Sequence, residues 1–343
     1  MLAPASVLII YTGGTIGMIK DPVSNAFKPF DFNHLKTEIP ELSKFNIKLS
    51  SISFEEPIDS SNMNVEVWQT LASIIEENYT QYDGFVVLHG SDTMAYTASA
   101  LSFMLQNLSK PIILTGSQLP IGTIRTDGKE NLITAIEIAG ARQKNRAVVP
   151  EVAIYFEYTL LRGNRTTKFN AEHFDAFKSV NYPALAQAGI HIEYNWSVTR
   201  AASEEEFKCY TGLDNNVAIL KLYPGITPQV VKAILNTPGL KGLILETFGS
   251  GNAPTESWLI EPLEEAINKG LMVVNITQCA GGSVDQGRYE TSTAFNKIGV
   301  LSGYDMTTEA AVTKLMHTLG MGLTPKAAIK YYCSNLTGEI SIK

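Results

Sequence analysis

The stretch that decides the fold is FVVLHGSDTMAYTASALSFMLQNL, residues 85–108. Its first six residues are mostly apolar, which is typical of a strand buried on both faces of a parallel sheet. Residues 93–108 follow with the apolar spacing of a helix. A strand that leads through a short polar turn into a helix is half of a βαβ unit, so this stretch predicts an α/β fold.

The same alternation of short apolar runs and longer amphipathic stretches continues along the chain. Two later helices are predicted to begin at Pro228 and Pro325, each preceded by a threonine that can cap it. We therefore expect a larger N-terminal domain based on a parallel sheet, followed by a smaller α/β C-terminal domain. The other predicted strands are 6–11, 111–116, 152–158, 217–223, 242–249 and 272–278, and the other predicted helices include 65–79 and 129–142.

A polar stretch without clear periodicity, residues 195–216, interrupts this alternation and contains three consecutive glutamates. With 343 residues the chain is long enough for two domains. We expect an N-terminal domain over 1–195, a linker over 196–216 and a C-terminal domain over 217–343. The alternative is that the polar stretch is a surface loop inside one domain.

Composition and charge narrow the range of partners. The chain is 45% hydrophobic and 18% charged, which excludes a disordered or coiled-coil protein. Its net charge is −7 and it has no long run of Lys or Arg, so neither nucleic acid nor an anionic membrane is expected as a partner. A small molecule is the expected ligand.

The cysteines and the first residues of the sequence indicate the compartment. Cys209, Cys279 and Cys333 are odd in number and widely spaced, so neither a disulfide framework nor a zinc site is predicted. Residues 1–17 have no basic segment and too short an apolar run for a signal peptide, and no stretch approaches the roughly 20 apolar residues of a membrane span. We expect a cytoplasmic protein.

Polar turns follow the predicted strands, at the edge of the sheet where α/β proteins bind ligands. In the turn after strand 6–11, Gly13 and Gly14 allow a sharp bend that leaves the Thr15 hydroxyl exposed as a candidate nucleophile. The alternatives are a plain tight turn or a phosphate-binding loop, although the spacing matches neither GxGxxG nor a P-loop.

The turn after strand 85–90 places a hydroxyl and a carboxylate, Ser91 and Asp92, in front of a helix. Both residue types are preferred helix N-caps, and taken alone this structural interpretation is the stronger one. The alternation of the strand directs His89 towards the sheet, so we predict a packed, hydrogen-bonded histidine rather than a catalytic base.

Two further segments carry polar groups suited to catalysis or binding. Lys168 would act as a base if burial removed its proton, but its surroundings also fit a solvated basic loop. Asp59, Ser60 and Ser61 offer groups suited to the charged ends of an amino acid, or they form the approach to a helix capped by Asn64.

Together these segments resemble the bacterial L-asparaginase family, and specifically its type I, cytoplasmic branch. The resemblance covers essentially the whole chain. The motifs that carry it are TGGTIG (12–17), DSSNM (59–63), DGFVVLHGSDTMAYTASALSFML (83–105), LTGSQLP (114–120), RGNRTTK (162–168), GNAP (251–254) and TQC (277–279).

The resemblance implies a homotetramer, built as a dimer of dimers, of two-domain subunits. It implies hydrolysis of the side-chain amide of asparagine to aspartate and ammonia through a covalent acyl-threonine, without a metal or other cofactor. It gives Thr12 a structural role. The catalytic positions that it implies are Thr15 as nucleophile with Ser91, Asp92 and Lys168, and the substrate-binding positions are Asp59, Ser60, Ser61, Ser91 and Asp92.

The chain departs from the family pattern at two positions. Ser91 stands where the family has its second catalytic threonine, which keeps the hydroxyl and loses a methyl group. Phe27 stands where a catalytic tyrosine is expected on the mobile loop after TGGTIG. Either Tyr11 or another residue supplies that phenol, or the proton route runs without one.

The sequence also offers candidate positions for regulation, and it leaves two alternative functions open. Some type I members are regulated by asparagine at a second site, for which Thr167, Glu246 and Cys279 are the candidate positions. One alternative function is release of ammonia from glutamine, as a glutaminase or as the transamidation-linked subunit that carries an extra N-terminal domain. The other is a non-catalytic α/β module that binds an amino acid or a nucleotide.

Overall fold

The computed structural model describes residues 3–20, 27–28, 39–286 and 290–341, with the backbone alone described at 19–20, 27–28 and 290–292. The chain divides into two compact units, Met1–Thr211 and Gly212–Lys343. The division lies inside the polar stretch 195–216. Part of that stretch belongs to the sheet structure of the first unit, because Lys208–Cys209 pairs with Leu105–Gln106.

The first unit is built on one large sheet, with several two-residue strands paired outside it. Its described strands, in chain order, are β1 (Ala5–Tyr11), β2 (Ile19–Lys20), β3 (Phe27–Lys28), β4 (Ile47–Ser53), β5 (Gly84–Leu88), β6 (Leu105–Gln106), β7 (Ile112–Thr115), β8 (Arg142–Gln143), β9 (Arg146–Ala147), β10 (Val152–Phe156), β11 (Thr159–Arg162), β12 (Thr167–Lys168), β13 (Phe177–Lys178), β14 (Ala186–Ala188), β15 (Ile192–Tyr194) and β16 (Lys208–Cys209).

Five parallel strands form the larger part of the sheet, in the order β4-β1-β5-β7-β10. The order reverses at β1, because β4 pairs on one side of it and β5 on the other. Such a reversal leaves a crevice outside the carboxyl ends of the neighbouring strands β1 and β5, where α/β proteins bind ligands. The topology therefore places the turns after β1 and β5 side by side.

The remaining part of the sheet is antiparallel. The predicted strand 152–158 ends at Phe156, because Glu157 and Tyr158 adopt positive φ angles of 44° and 65°. The chain then reverses into β11, and β14 and β15 extend the sheet with antiparallel pairings. The α/β class and its parallel core are confirmed, but the complete sheet is mixed.

Helices α1 (Val65–Asn78), α2 (Met94–Met104) and α3 (Gly128–Gly140) belong to this unit. Every residue of α2 except Tyr96 is buried, which is why its sequence shows no polar face. The helix ends four residues before the predicted position, since Leu105 enters β6 and pairs with β16. The core of the unit includes Val7, Val86, Ile113, Leu132 and Ile136.

The second unit has a smaller, parallel sheet in the order β17 (Val217–Lys221), β18 (Gly242–Thr247), β19 (Met272–Thr277) and β20 (Leu301–Ser302). Pro228 and Pro325 begin helices as predicted, but the preceding threonine hydroxyls accept no capping hydrogen bond. No helix in the described ranges is both long and apolar enough to cross a membrane. The helices are α4 (Pro228–Leu235), α5 (Ser257–Asn268), α6 (Glu290–Ile298), α7 (Thr308–Gly320) and α8 (Pro325–Tyr332).

Candidate active site

The turn after β1 brings Thr15 to the carboxyl edge of the large sheet. Gly13 and Gly14 have φ angles of +138° and +87°, which favour glycine. A Cβ on Gly13 would lie 2.1 Å from the carbonyl oxygen of Ile58, and one on Gly14 would lie 2.4 Å from the backbone nitrogen of Gly90. The absence of these side chains therefore lets three segments of the chain meet at this turn.

Thr12 and Thr15 differ in what surrounds their hydroxyls. Thr12 is buried, and its Oγ1 donates to the carbonyl oxygen of Leu88 at 3.0 Å. Thr15 is half-buried at the start of a short 3-10 helix, Thr15–Gly17. In the described part of the chain, no group hydrogen-bonds the Thr15 hydroxyl. The Thr12 hydroxyl thus joins β1 to β5, whereas that of Thr15 is available to a ligand.

Ser91 and Asp92, in the turn after β5, both contact Lys168. The lysine Nζ donates to Ser91 Oγ at 2.9 Å and to Asp92 Oδ1 at 2.6 Å. The lysine side chain is 16% exposed and that of Asp92 is 65% exposed, so the amine is the sheltered member of the pair. The N-cap of α2 is Thr93, not Ser91 or Asp92, and its side chain makes no capping hydrogen bond. The contacts with Lys168 are therefore favoured over the capping interpretation of Ser91 and Asp92.

The loop Asp59–Ser61 packs against this turn. Asp59 Oδ1 accepts hydrogen bonds from the backbone N–H and the hydroxyl of Ser61, both at 2.9 Å. These bonds lower the pKa of the exposed Asp59 carboxyl and favour its charged form. Ser60 is buried, and its carbonyl oxygen accepts from the Thr93 hydroxyl at 2.7 Å. A Cβ on Gly90 would lie 2.5 Å from Ser60 Oγ, so the two segments are in direct contact.

A buried ion pair anchors the segment that carries Lys168. Arg162 Nε donates to Glu151 at 2.5 Å, and their side chains are only 4% and 7% exposed. Arg162 also donates to the carbonyl oxygen of Val198 at 2.9 Å and lies over the ring of Tyr182. Lys168 follows in β12, which pairs with β13. The lysine is therefore presented by an anchored hairpin rather than by a solvated basic loop.

His89 is packed and hydrogen-bonded, as predicted. It is fully buried, with Nδ1 2.6 Å from the Gly90 carbonyl oxygen and Nε2 2.9 Å from the Thr97 hydroxyl. Burial lowers the pKa of His89 to about 4, so the ring is neutral at pH 7. Sequence reasoning missed Thr97 and Trp68, whose Nε1 donates to Thr97 Oγ1 at 2.9 Å. Both lie inside helices, where no local signal distinguishes them.

Tyr11 packs against the turn that carries Thr15. Phe27 is described by its backbone alone. Phe27 lies in β3, which pairs with β2, and its side chain falls outside the described part. The Tyr11 hydroxyl lies 3.5 Å from the Gly14 carbonyl oxygen, and a Cβ on Gly17 would lie 2.3 Å from the Tyr11 ring. Burial raises the pKa of Tyr11 to about 12, which keeps the phenol protonated.

The three candidate regulatory residues are divided between the units. Thr167 lies in β12 of the first unit, opposite Lys178 of β13. In the second unit, Glu246 accepts a hydrogen bond from the Thr308 hydroxyl at 2.7 Å and lies 3.4 Å from Lys221 Nζ. The Glu246 carboxylate is therefore already engaged by side chains of its own unit. Cys279, also in the second unit, is exposed.

The described side chains of the site are hydroxyls, carboxylates and one lysine. Cys209, Cys279 and Cys333 are free thiols. In the described ranges, no group of three or more His, Cys, Asp or Glu side chains is arranged to hold a metal ion. The hydroxyls, carboxylates and amine of this site are groups suited to proton transfer and hydroxyl attack.

Two protein-family models match the chain and show which family it belongs to. The model described as "Asparaginase, N-terminal" matches residues 6–200, and the "Glutaminase/Asparaginase C-terminal domain" matches residues 216–332. The chain belongs to the asparaginase family. The two matched regions lie on either side of residues 201–215, in the polar stretch between the units.

Individual relatives of this family member agree with that assignment. L-asparaginase 1 of Escherichia coli K12 is 42% identical over 98% of each chain. The crystal structure of L-asparaginase I from Vibrio cholerae superposes with a TM-score of 0.89 at 39% identity and covers 98% of this chain and 99% of that one. The thermostable L-asparaginase from Thermococcus kodakarensis superposes with a TM-score of 0.90 at 32% identity, over 98% of this chain and 100% of its own. The predicted family, its enzyme class and its fold are confirmed.

Proposed function

We propose that this member of the asparaginase family is an L-asparagine amidohydrolase, which converts asparagine and water to aspartate and ammonia. The observation that carries the proposal is the contact of Lys168 Nζ with both Ser91 Oγ and Asp92 Oδ1. This contact lies in a turn that packs directly on the turn of Thr15, through Gly14 and Gly90. A hydroxyl attacks an amide only after a base removes its proton, and this edge of the sheet supplies both groups.

Thr15 is the nucleophile of the proposed reaction. Lys168 is the proposed base: held by Asp92, it takes the proton of Ser91, and Ser91 or an intervening water takes the proton of Thr15. Thr15 Oγ1 then bonds to the side-chain carbonyl carbon of asparagine. The C–N bond breaks as the amide nitrogen gains the proton that Lys168 took up, and it leaves as ammonia. Water finally hydrolyses the acyl-threonine ester to release aspartate.

The same turns provide groups that would bind the substrate and its oxyanion. In the described part, no acceptor takes the backbone N–H groups of Gly14, Thr15 or Ser91, which supports a role for them at the developing oxyanion. The charged Asp59 carboxylate is suited to the α-ammonium of the substrate, and Asp92 is exposed enough to contribute. Ser60 and Ser61 complete the binding loop, which holds the amide within reach of Thr15.

Ammonia release from asparagine tests the proposal. Thr15→Ala and Lys168→Met should each lower turnover by at least about 100-fold, the lower range of a general-base contribution. Lys178→Met is the matched control, because Lys178 lies on the paired strand of the same hairpin and is exposed. Circular dichroism verifies that each variant is folded. Near-normal turnover in either of the first two variants contradicts the assignment.

The alternative functions are separated by the same assay. The C-terminal domain model includes glutaminases, and one methylene in a substrate changes selectivity by only about 10- to 200-fold, so glutamine is measured beside asparagine. Faster release from glutamine favours the glutaminase alternative. Saturable binding of asparagine without any ammonia favours a non-catalytic amino-acid-binding module.

Assembly, location and regulation belong to the same proposal. We infer a cytoplasmic homotetramer that asparagine also regulates through a second site. The candidate positions for this regulation are Thr167 in the first unit, and Glu246 and Cys279 in the second. The three free thiols support a reducing compartment. Light scattering measures the mass of the assembly, and a hyperbolic dependence of rate on asparagine concentration contradicts the regulation.

A further inference from the structure

A chain of buried hydrogen bonds leads from α1 through α2 to the turn that carries Ser91. Trp68 Nε1 lies 2.9 Å from Thr97 Oγ1, which lies 2.9 Å from His89 Nε2. His89 Nδ1 then lies 2.6 Å from the carbonyl oxygen of Gly90. Trp68 is 7% exposed, and Thr97 and His89 are fully buried. This series of hydrogen bonds is therefore shielded from water.

The groups at the two ends of this series of hydrogen bonds determine which atom donates in each bond. The indole N–H of Trp68 only donates, so Thr97 Oγ1 accepts from it. The Gly90 carbonyl only accepts, so the proton of the neutral His89 ring lies on Nδ1. With the proton on Nε2 instead, two lone pairs would face each other across 2.6 Å. His89 Nε2 therefore accepts the remaining proton of Thr97, and a single tautomer satisfies every group.

The carbonyl that His89 holds belongs to the peptide unit between Gly90 and Ser91. Because a peptide unit is planar, the direction of the Gly90 C=O also sets the direction of the Ser91 N–H. Gly90 is confined as well by Gly14 and Ser60, since a Cβ at Gly14 would lie 2.4 Å from the Gly90 nitrogen and one at Gly90 would lie 2.5 Å from Ser60 Oγ. These contacts limit where Gly90 lies, and the hydrogen bond from His89 then fixes how the Gly90–Ser91 peptide plane is rotated.

We propose that His89 is a positioning residue for the hydrolytic reaction: through Nδ1–H it orients the Gly90–Ser91 peptide, and so places the Ser91 hydroxyl and N–H. This inference rests on the proposed function of Ser91. Thr97 and Trp68 keep the histidine in the required tautomer. The role is distinct from general-base catalysis, because His89 is buried and contacts the reacting groups only through the backbone.

The tautomer can be measured without reference to activity. Nitrogen-15 NMR of the histidine-labelled enzyme reports which ring nitrogen carries the proton, and the His89 signals are assigned by their loss in His89→Asn. We expect Nδ1–H at neutral pH. A proton on Nε2, or a charged ring, overturns the inference. This readout remains valid if the wild type releases no ammonia, an outcome that would refute the proposed function alone.

Two amide variants test the role in the reaction. In His89→Asn the amide nitrogen stands at the position of Nδ1 and can still donate to Gly90, whereas in His89→Gln it stands at the position of Nε2 and cannot. We expect kcat to be largely retained in the first and lowered on the order of 10- to 100-fold in the second, since small displacements of reacting groups have effects of that size. Urea unfolding shows whether the two variants are equally stable.

His317 provides the matched control, because it is a second fully buried histidine and lies in the second unit. His317→Asn and His317→Gln should have the same kcat as each other. Equal kcat values for the two His89 variants, in an enzyme whose wild type is active, overturn the positioning role. A larger loss in His89→Asn than in His89→Gln overturns it as well.

Discussion

Acidification should destabilise the second unit through His317. The ring is fully buried on α7, with Nε2 3.1 Å from the hydroxyl of Tyr331. Burial first, and then the positive charge of Lys314 one turn earlier, lower the pKa of His317 from 6.5 to about 4. In the unfolded chain both effects are lost. Between these two values the unfolded state therefore binds more protons than the folded state, and stability falls as the pH falls.

The size of the effect follows from the two pKa values. Between about pH 7.5 and about pH 5, the linkage relation gives a loss of about 2 kcal/mol from this single histidine. The loss is complete near the folded-state value, because below it both states are protonated. A loss of this size is a substantial part of the stability of a typical domain.

Urea unfolding followed by circular dichroism measures the loss at both pH values. His317→Gln removes the titration and keeps an amide near Tyr331, so its stability should depend on pH by about 2 kcal/mol less than that of the wild type. His191→Gln replaces an exposed histidine and is the control for the change in composition. Equal pH dependence in the wild type and His317→Gln would refute the reasoning.

Three further changes test other contacts. Glu339→Gln should lower the free energy of unfolding by about 3 to 5 kcal/mol, because the fully buried ammonium of Lys314 then loses the carboxylate that lies 2.5 Å from it. A loss below about 1 kcal/mol in urea unfolding contradicts this prediction. Gly90→Ala should lower ammonia release on the order of 10- to 100-fold, because its Cβ would lie 2.5 Å from Ser60 Oγ and force the two segments apart; unchanged turnover disproves the close approach. Ser91→Thr should keep its activity, because threonine retains the hydroxyl that accepts from Lys168 at 2.9 Å; a loss beyond about 100-fold shows that the added methyl group is not tolerated.

The regular elements around the site were predictable from local pattern. The predicted strand 6–11 is observed as Ala5–Tyr11, and the predicted helix 65–79 as Val65–Asn78. Both are bounded by strong signals, a glycine-rich turn in one case and an Asn64 cap that accepts from Val67 in the other. Local chemistry and the final structure agree at these positions.

The antiparallel part of the sheet could not be predicted in the same way. Residues 152–162 are continuously strand-like, and the reversal occurs at Glu157 and Tyr158 rather than at Gly or Asn. A positive φ is uncommon for these residue types, so the sequence contains no turn signal there. The pairing of β10 with β11 imposes the conformation from outside the turn.

The contacts of the candidate site depend even more on topology. Ser and Asp in front of a helix are explained locally as caps, and only the position of Lys168 beside them favours a different role. The lysine is 76 residues from Asp92, and its approach depends on the hairpin anchored by Arg162. No pattern within one segment carries this information.

The glycines show how topology and chemistry are joined. Locally, Gly14 and Gly90 are turn residues whose value is a flexible backbone. In the fold, the reversal of strand order at β1 makes their two turns neighbours, and each glycine is needed because the opposing segment occupies the place of its Cβ. The distance between Thr15 and Ser91 is thus set by backbone contact rather than by side-chain packing. We therefore expect the site to tolerate the exchange of one hydroxyl for another at Ser91 more readily than the addition of a methyl group to Gly14 or Gly90.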